Sequence, residues 1–433
     1  MDIILGLGKT GFSLARFLVK LGKSFMVCDS RDNPVQLDLF KQQFPDIEVI
    51  CGDFDKNILS KADVLYVSPG ISLQHAAIQY AKKQRVMISG DIDLFSKYVN
   101  APFIAITGTN GKSTVTTLVY KMAQKCGKRV AVGGNLGNPA LDLLDDAIDL
   151  YVIEVSSFQL ETCSNLGATA ATCLNLADDH QDRYASFADY VEAKRRITFD
   201  AKTLILNAFN ADFADNFAGS VLTFSSNHHG DFGLFADKNH TYLTFRGNKL
   251  ISTAELKIAG THNYANALAA LALGYAAGLD INLMLAALIE FEGLKHRLQF
   301  VRQLNGVSYY NDSKATNVAA AIAAIEGLNS PRKIILIAGG VGKDADFSPL
   351  ARCINQHCKK VIGIGRDFVQ ISKHLVTNMY LTAANMQEAV RICQQQSTAG
   401  DIVLLAPACA SFDQFQDFEQ RGDVFMAQVQ SLC

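Results

Sequence analysis

Residues 103–125 constrain this chain more than any other stretch. The apolar run Phe103 to Ile106 predicts a buried strand, and a glycine-punctuated turn, Thr107-Gly108-Thr109-Asn110-Gly111, follows it. Lys112-Ser113-Thr114 then opens a helix predicted over Val115 to Lys125. Strand, glycine turn and helix in that order make a phosphate-binding loop. Glycines let backbone N–H groups close around phosphate oxygens, and the helix N-terminus adds partial positive charge. Lys112 can reach the terminal phosphates, and the Ser113 hydroxyl is placed for a magnesium ion. The loop is a short form, because Ile106 stands where the longer loop has its first glycine. A nucleoside triphosphate is the expected ligand. A capped glycine turn is the plain alternative, and the flanking strand and helix argue against it.

The 433 residues suggest two to four domains, and 49% hydrophobic against 19% charged residues allow large cores. Net charge is −2 with no basic run, which disfavours nucleic acid as the main partner. The ten cysteines are scattered, with no Cys-x-x-Cys pair and no recognised metal spacing with histidine. Buried free thiols in a reducing cytoplasm are expected. No basic-then-apolar leader and no apolar run of membrane length appear, so a soluble cytoplasmic protein is expected.

The first ninety residues alternate strand and helix: Asp2 to Leu5, a helix Phe12 to Leu21, then strands Ser24 to Cys28 and Ala62 to Val67. Gly6-Leu-Gly8-Lys-Thr-Gly11 lies between the first strand and helix, and Asp29 ends the next strand. That fingerprint places a diphosphate-bearing ligand on a helix N-terminus, and taken alone it predicts NAD. A second unit begins near Asp91. It carries the phosphate loop, strands Tyr151 to Val155 and Ala170 to Leu176, and a helix Tyr190 to Phe199. Short β-like runs over 203–255 predict a small antiparallel patch, and a long Ala/Leu-rich helix runs through Tyr275. The third unit alternates strands Ser308 to Tyr310, Lys333 to Ala338, Lys360 to Ile364 and Asp401 to Leu405 with helices, a doubly wound α/β pattern.

Glu154 ends an apolar strand after the phosphate loop, where such enzymes place an acidic magnesium ligand. His180 follows two acids at another strand end; position alone fits a structural histidine as well as a site. Lys194 lies on a charged helix face, and spacing gives no reason to choose it over Arg195 or Arg196. Asn311-Asp312-Ser313-Lys314-Ala315-Thr316-Asn317, Gly339-Gly-Val-Gly-Lys343 and Pro407-Ala-Cys-Ala-Ser411 are three anion-receptive strand or helix ends, the last expected to begin the final long helix. Three such ends in one unit suggest a ligand with more than one carboxylate.

Gly108-Thr-Asn-Gly-Lys-Ser-Thr114, Glu154-Val-Ser-Ser-Phe-Gln159, Asp179-His180-x-Asp-Arg183, His262-Asn-Tyr-x-Asn266, His296-Arg297 and Asn311 to Asn317 occur in the order seen in the Mur ligase family. The chain resembles that family over nearly its whole length. Gly6 to Gly11, Ser68-Pro-Gly70 and Pro407 to Ser411 resemble the member that adds D-glutamate to UDP-N-acetylmuramoyl-L-alanine.

The resemblance implies an α/β protein of three domains. A Rossmann-like domain, 1–90, would bind the UDP substrate in place of NAD. A central P-loop ATPase domain with a mostly parallel sheet, 91–293, would bind ATP. A Rossmann-like C-terminal domain, 294–433, would bind the amino acid. By the same resemblance, Asp29, Ser30 and Arg31 face the uracil end, Lys9 and Thr10 the diphosphate, and Ser68 and Gly70 the same ligand. Asn135 and Gln159 line its muramoyl-alanine side. Gly108, Thr109, Asn110, Gly111, Lys112, Ser113, Thr114, Asn266, Arg297 and Asp312 hold ATP. Lys314, Thr316, Lys343, Ser411 and Phe418 position D-glutamate. Ser113 and Glu154 hold one of two magnesium ions and His180 helps hold the other. Lys194 matches the family's carbamylated lysine. Lys112, His180 and Lys194 are the catalytic set.

The implied reaction is ATP-dependent ligation through an acyl phosphate in peptidoglycan precursor synthesis, by a monomer whose third domain closes on ATP. Two positions depart from the common pattern: Ala406 stands where Ser is common and Phe412 where Leu is common. The rival readings are an NAD-dependent oxidoreductase, a non-catalytic nucleotide-binding regulator, and a sister or folate–glutamate ligase adding another amino acid.

Overall fold

The computed structural model describes the chain apart from residues 180–182, 209–210, 216, 227–229, 239, 259, 329, 331 and 433. Among the described residues the strands form three sheets. The first holds β1 (Asp2–Leu5), β2 (Phe25–Asp29), β3 (Val49–Cys51), β4 (Val64–Val67) and β5 (Met87–Ser89) in the order β3-β2-β1-β4-β5. Every pairing in it is parallel.

The second sheet holds β6 (Phe103–Thr107), β7 (Val130–Gly134), β8 (Leu150–Glu154), β9 (Ala170–Cys173), β10 (Thr203–Asn207), β11 (Ser220–Phe224), β12 (Phe232–Ala236), β13 (Thr241–Phe245) and β14 (Asn248–Ser252). Its order is β14-β13-β12-β11-β10-β9-β6-β8-β7. β6 and β8 are buried along their whole length, as parallel strands covered on both faces must be, and they read as unbroken apolar runs for that reason. The expected antiparallel patch is smaller than the sequence suggests. β10, β11 and β12 pair parallel and extend the main sheet, and only the β12–β13 and β13–β14 pairings are antiparallel. The short apolar run Leu204 to Leu206 does not distinguish the two pairings.

The third sheet holds β15 (Gln299–Leu304), β16 (Val307–Asn311), β17 (Ile334–Ala338), β18 (Cys358–Gly363), β19 (Tyr380–Thr382) and β20 (Ile402–Leu405), in the order β15-β16-β20-β17-β18-β19. It is parallel except for the β15–β16 hairpin.

The chain packs as two compact units. One comprises Met1–Leu176, Ala188–Glu255 and Ala265–Glu290 and carries the first two sheets; the other comprises Ala177–Phe187, Leu256–Tyr264 and Phe291–Cys433 and carries the third. Among the described residues no helix is long and apolar enough to cross a membrane. The final helix spans Phe418–Ser431, capped by Asp417, whose carboxylate accepts from the Gln420 N–H. It therefore starts well after Pro407, in contrast to the sequence expectation. Ala408 takes φ +59, which no helix start tolerates, so residues 406–417 remain a loop.

Candidate active site

The carboxyl ends of parallel strands are where α/β sheets present loops to ligands. In the first unit, the turns after β1, β2 and β4 meet those after β7 and β8 around an open cleft of about 670 Å³. Lys9, Thr10, Asp29, Ser30, Arg31, Ser68, Gly70, Asn135 and Gln159 all line it. The helix Lys9–Lys20 starts here with no side-chain cap, leaving first-turn N–H groups for an anion. Gly11 is required by close approach: a Cβ there would sit 1.9 Å from the Gly6 carbonyl oxygen.

Asp29 is buried and engaged on both oxygens. Oδ2 accepts from Leu7 N–H at 2.7 Å and from Arg31 Nη2 at 2.7 Å, and Oδ1 accepts from Arg31 Nε at 2.8 Å. Burial pushes its pKa up, but Arg31 and the backbone donors outweigh burial and hold it below the usual carboxylate range. A dinucleotide site of the NAD type uses this acid to accept from a ribose diol. Here it is spent on orienting a guanidinium, which argues against the nicotinamide reading.

The phosphate loop follows β6 at the point where strand order reverses. Gly111 takes φ +85 as N-cap of the helix Lys112–Lys125, and a Cβ there would meet Asn266 Oδ1 at 2.4 Å, so Asn266 lies directly against the loop. Thr109 N–H donates to Asn175 O, Asn110 N–H donates to Asn175 Oδ1 at 2.8 Å, and Asn175 Nδ2 returns a bond to Asn110 O at 2.9 Å. Asn175 thus locks the loop, a role that sequence reasoning missed; its place at the end of the strand beside β6 is the only signal. Lys112 Nζ folds back onto the carbonyls of Gly108 (2.8 Å) and Thr109 (2.9 Å).

Lys194 is almost fully buried at the end of the helix Phe187–Arg195. Its Nζ donates to the same Gly108 carbonyl at 3.0 Å and lies 4.7 Å from the Tyr190 ring centroid. Tyr190 OH shares a 3.0 Å hydrogen bond with Thr109 Oγ1. Burial thus separates Lys194 from its part-exposed neighbours Arg195 and Arg196.

Glu154 is buried at the end of β8. Its Oε1 accepts from Asn135 Nδ2 at 2.7 Å, whereas Oε2 is buried with no hydrogen-bond partner among the described residues. An orphaned carboxylate oxygen costs about 1–3 kcal/mol or more unless something takes it up. With the nearly buried Ser113 hydroxyl it offers a hard, all-oxygen donor set, which suits magnesium. Gln159 is committed to Asp91: Nε2 donates to Asp91 Oδ2 at 2.8 Å, and its own Oε1 closes a capping box with Ser156. Burial raises the Asp91 pKa to about 6, against that hydrogen bond.

In the second unit, loops after β16, β17 and β20 come together. Asp179, Thr316, Asn317, Lys343 and Ala408 line a small cleft of about 20 Å³. Asp179 accepts from Asn317 Nδ2 at 3.1 Å and pairs with Lys343 at 3.7 Å. Lys314 Nζ stands 3.7 Å from the Phe418 ring centroid. Burial raises the Asp312 pKa to about 7, with the Arg297 charge opposing. Of the ten non-glycine residues with positive φ among the described residues, Lys343, Asp344 and Ala408 fall in these loops, and His296 and Leu298 fall just before β15. Each such residue costs about 1–3 kcal/mol, and such strain gathers at functional sites. Ser411 is buried beside them, Ala406 is fully buried, and Phe412 is 73% exposed. His180 lies outside the described residues.

Three family models match the chain in order: "Mur ligase MurD-like, N-terminal domain" over residues 1–90, "Mur ligase middle domain" over 106–274 and "Mur ligase, glutamate ligase domain" over 296–409. The chain belongs to the Mur ligase family. Among its relatives are proteins named UDP-N-acetylmuramoylalanine–D-glutamate ligase. One from Pseudomonas savastanoi pv. phaseolicola is 51% identical over 99% of this chain and 98% of its own. One from Pseudomonas aeruginosa is 50% identical over 100% and 98%, and one from Hahella chejuensis is 46% identical over 99% and 98%. The fold is also that of a pseudomurein peptide ligase type C from Methanothermus fervidus, with TM-score 0.65, 19% identity and coverage of 99% of this chain and 100% of that one. UDP-N-acetylmuramate-alanine ligase from Thermotoga maritima gives TM-score 0.62, 18% identity and coverage of 99% of both chains.

Proposed function

We propose that this chain joins the carboxylate of UDP-N-acetylmuramoyl-L-alanine to the amine of D-glutamate, converting ATP to ADP and phosphate, in peptidoglycan precursor synthesis. The observation that carries this reading is the full-length identity of about half to relatives of that name, together with a chain whose phosphate loop and first-unit cleft are both built.

The domains we assign are 1–90 for the UDP substrate, 91–293 for ATP and 294–433 for the amino acid. Lys9, Thr10, Asp29, Ser30, Arg31, Ser68, Gly70, Asn135 and Gln159 take the first substrate. Gly108 to Thr114, Asn266, Arg297 and Asp312 take ATP. Lys314, Thr316, Lys343, Ser411 and Phe418 take D-glutamate. The protein acts as a monomer in the cytoplasm.

A carboxylate is a poor electrophile, so its oxygen first attacks the γ-phosphorus and the bond to ADP breaks. The D-glutamate amine then attacks the acyl carbon of the acyl phosphate and loses a proton. The carbon–oxygen bond to phosphate breaks, leaving an amide and inorganic phosphate. Both partners of the first step are anionic. Lys112, freed from its loop carbonyls, swings onto the phosphates and offsets part of that repulsion. Ser113 and Glu154 would hold one magnesium ion and His180 with a carbamylated Lys194 another, and these ions would supply the remaining positive charge. Carbamylation adds CO₂ to the neutral Lys194 amine, releases a proton and leaves an anionic oxygen ligand. The modification suits the geometry: as ammonium groups, Lys112 and Lys194 crowd one carbonyl. Their Nζ atoms bond the Gly108 carbonyl at 2.8 and 3.0 Å, so they stand at most about 6 Å apart, and two such cations repel by at least about 3 kcal/mol at an effective dielectric of about 20.

The acyl phosphate is tested by labelling the substrate carboxylate with ¹⁸O. One labelled oxygen must appear in the released phosphate; unlabelled phosphate would contradict the pathway.

A further inference from the structure

The back of the third sheet carries three donor side chains that the ligase reaction does not use. Glu326 lies near the end of the helix Val318–Gly327, and Cys353 and His357 lie on the helix Ser348–His357. Cys353 and His357 are four residues apart, so a helix presents them on one face. One ligand atom from each of the three residues lies within 4.8 Å of the others. Sequence inspection finds no recognised metal spacing because the third donor is 27 residues upstream of Cys353 and arrives only when the two helices pack.

Chance proximity is the plain explanation for many such clusters, and the hydrogen-bond inventory argues against it here. Buried polar groups are normally paired. The His357 Nδ1 atom is buried with no hydrogen-bond partner among the described residues. Cys353 is only 5% exposed. Among the described residues none of the three side chains makes a hydrogen bond or ion pair with the protein. The exposed Glu326 closes the solvent side of the cluster.

We propose that Glu326, Cys353 and His357 form a site for a borderline divalent cation of the Zn²⁺ class, with the fourth position left to water. Thiolate, imidazole and carboxylate together suit zinc, whereas magnesium and calcium select oxygen ligands. Zinc bonds of about 2.0–2.3 Å in a tetrahedron put ligand atoms roughly 3.3–3.6 Å apart. The cluster needs to contract by at most about 1.2–1.5 Å, which rotamer changes of the exposed Glu326 and half-buried His357 side chains can supply. Thiolate ligation by the cation displaces the Cys353 thiol proton. The occupied site would pin the two helices together at the far end of the helix that starts at Asn317.

The test is titration of chelator-treated full-length protein with Co²⁺, followed by Zn²⁺ competition. One equivalent of Co²⁺ should give a thiolate-to-metal charge-transfer absorption that Zn²⁺ abolishes. The nucleotide site cannot give that signal, since its expected donors include no thiol. Cys353→Ser should remove the absorption, and Cys126→Ser should keep it. His357→Gln and the surface substitution Glu326→Gln should each weaken Zn²⁺ binding by about 10-fold to 100-fold or more. Absence of the absorption in the unsubstituted protein, or its persistence in folded Cys353→Ser, overturns the site. Should Cys353→Ser fail to fold, unchanged Zn²⁺ affinity in both His357→Gln and Glu326→Gln overturns it equally.

Discussion

Arg421 grips Ser313 twice: Nε donates to Ser313 Oγ at 3.0 Å and Nη2 to the Ser313 carbonyl at 2.8 Å. Its Nη1 donates to the Cys409 carbonyl at 3.0 Å. One guanidinium, almost fully buried, therefore ties the loop after β16 to the loop after β20. Burial lowers its pKa to about 10, which still leaves it charged at neutral pH. Ser313 sits between Asp312 and Lys314, so Arg421 would act as a positioning residue for the proposed amino-acid pocket.

Arg421→Met should leave two buried carbonyls short of a donor. At about 1–3 kcal/mol for each unsatisfied group, denaturant unfolding should show at least about 2 kcal/mol of lost stability. Arg421→Lys should recover part of that but not the fork. In both variants KM for D-glutamate should rise at least about 10-fold, with KM for the UDP substrate unchanged. An unaltered KM for D-glutamate would leave Arg421 with a purely structural role.

Arg31→Ala should release Asp29 from its bidentate pair and weaken UDP-substrate binding by about 1.5–3 kcal/mol, the range for a charged hydrogen bond. The measurement is KM against kcat, and kcat should hold. Gain of NADH binding by this variant would revive the dinucleotide reading; none is expected.

Lys194→Ala should lower kcat by about 100-fold or more, because an anionic ligand is lost where charge develops. The unsubstituted enzyme should lose activity when CO₂ is stripped and regain it with bicarbonate. Full activity of Lys194→Ala under CO₂-depleted conditions would contradict the carbamate.

Asp312 gives a pH signature. Its pKa is raised from 3.8 to about 7 by burial, so the folded state binds more protons than the unfolded chain between those values. Stability should therefore fall as pH rises from about 4 to about 7 and level off above, and Asp312→Asn should flatten that part of the curve. Thermal unfolding across this range is the check; identical slopes in the two proteins would refute it.

Much of this was legible in the residues. Phe103 to Lys125 reads as a phosphate loop because glycine placement and strand–helix order carry the chemistry locally. The first-domain fingerprint misleads by itself, since the fate of Asp29 is decided by Arg31 two residues on. Lys194 cannot be told from Arg195 by spacing, because helix burial depends on what packs across it. The final helix start was readable in principle: Asp417 and Gln420 form a cap signal, whereas Pro407 precedes a left-handed Ala408 that no sequence pattern announces. The parallel pairing of β10 and β11 is set by neighbours across the sheet, which a short apolar run cannot report.

Phosphate release from ATP and magnesium with UDP-N-acetylmuramoyl-L-alanine tests the account most directly, run with D-glutamate and separately with L-glutamate, L-lysine and meso-diaminopimelate. The account predicts release with D-glutamate alone, together with a product heavier by one glutamyl unit. Release with another of these amino acids, or with none in protein shown to bind ATP, would contradict it.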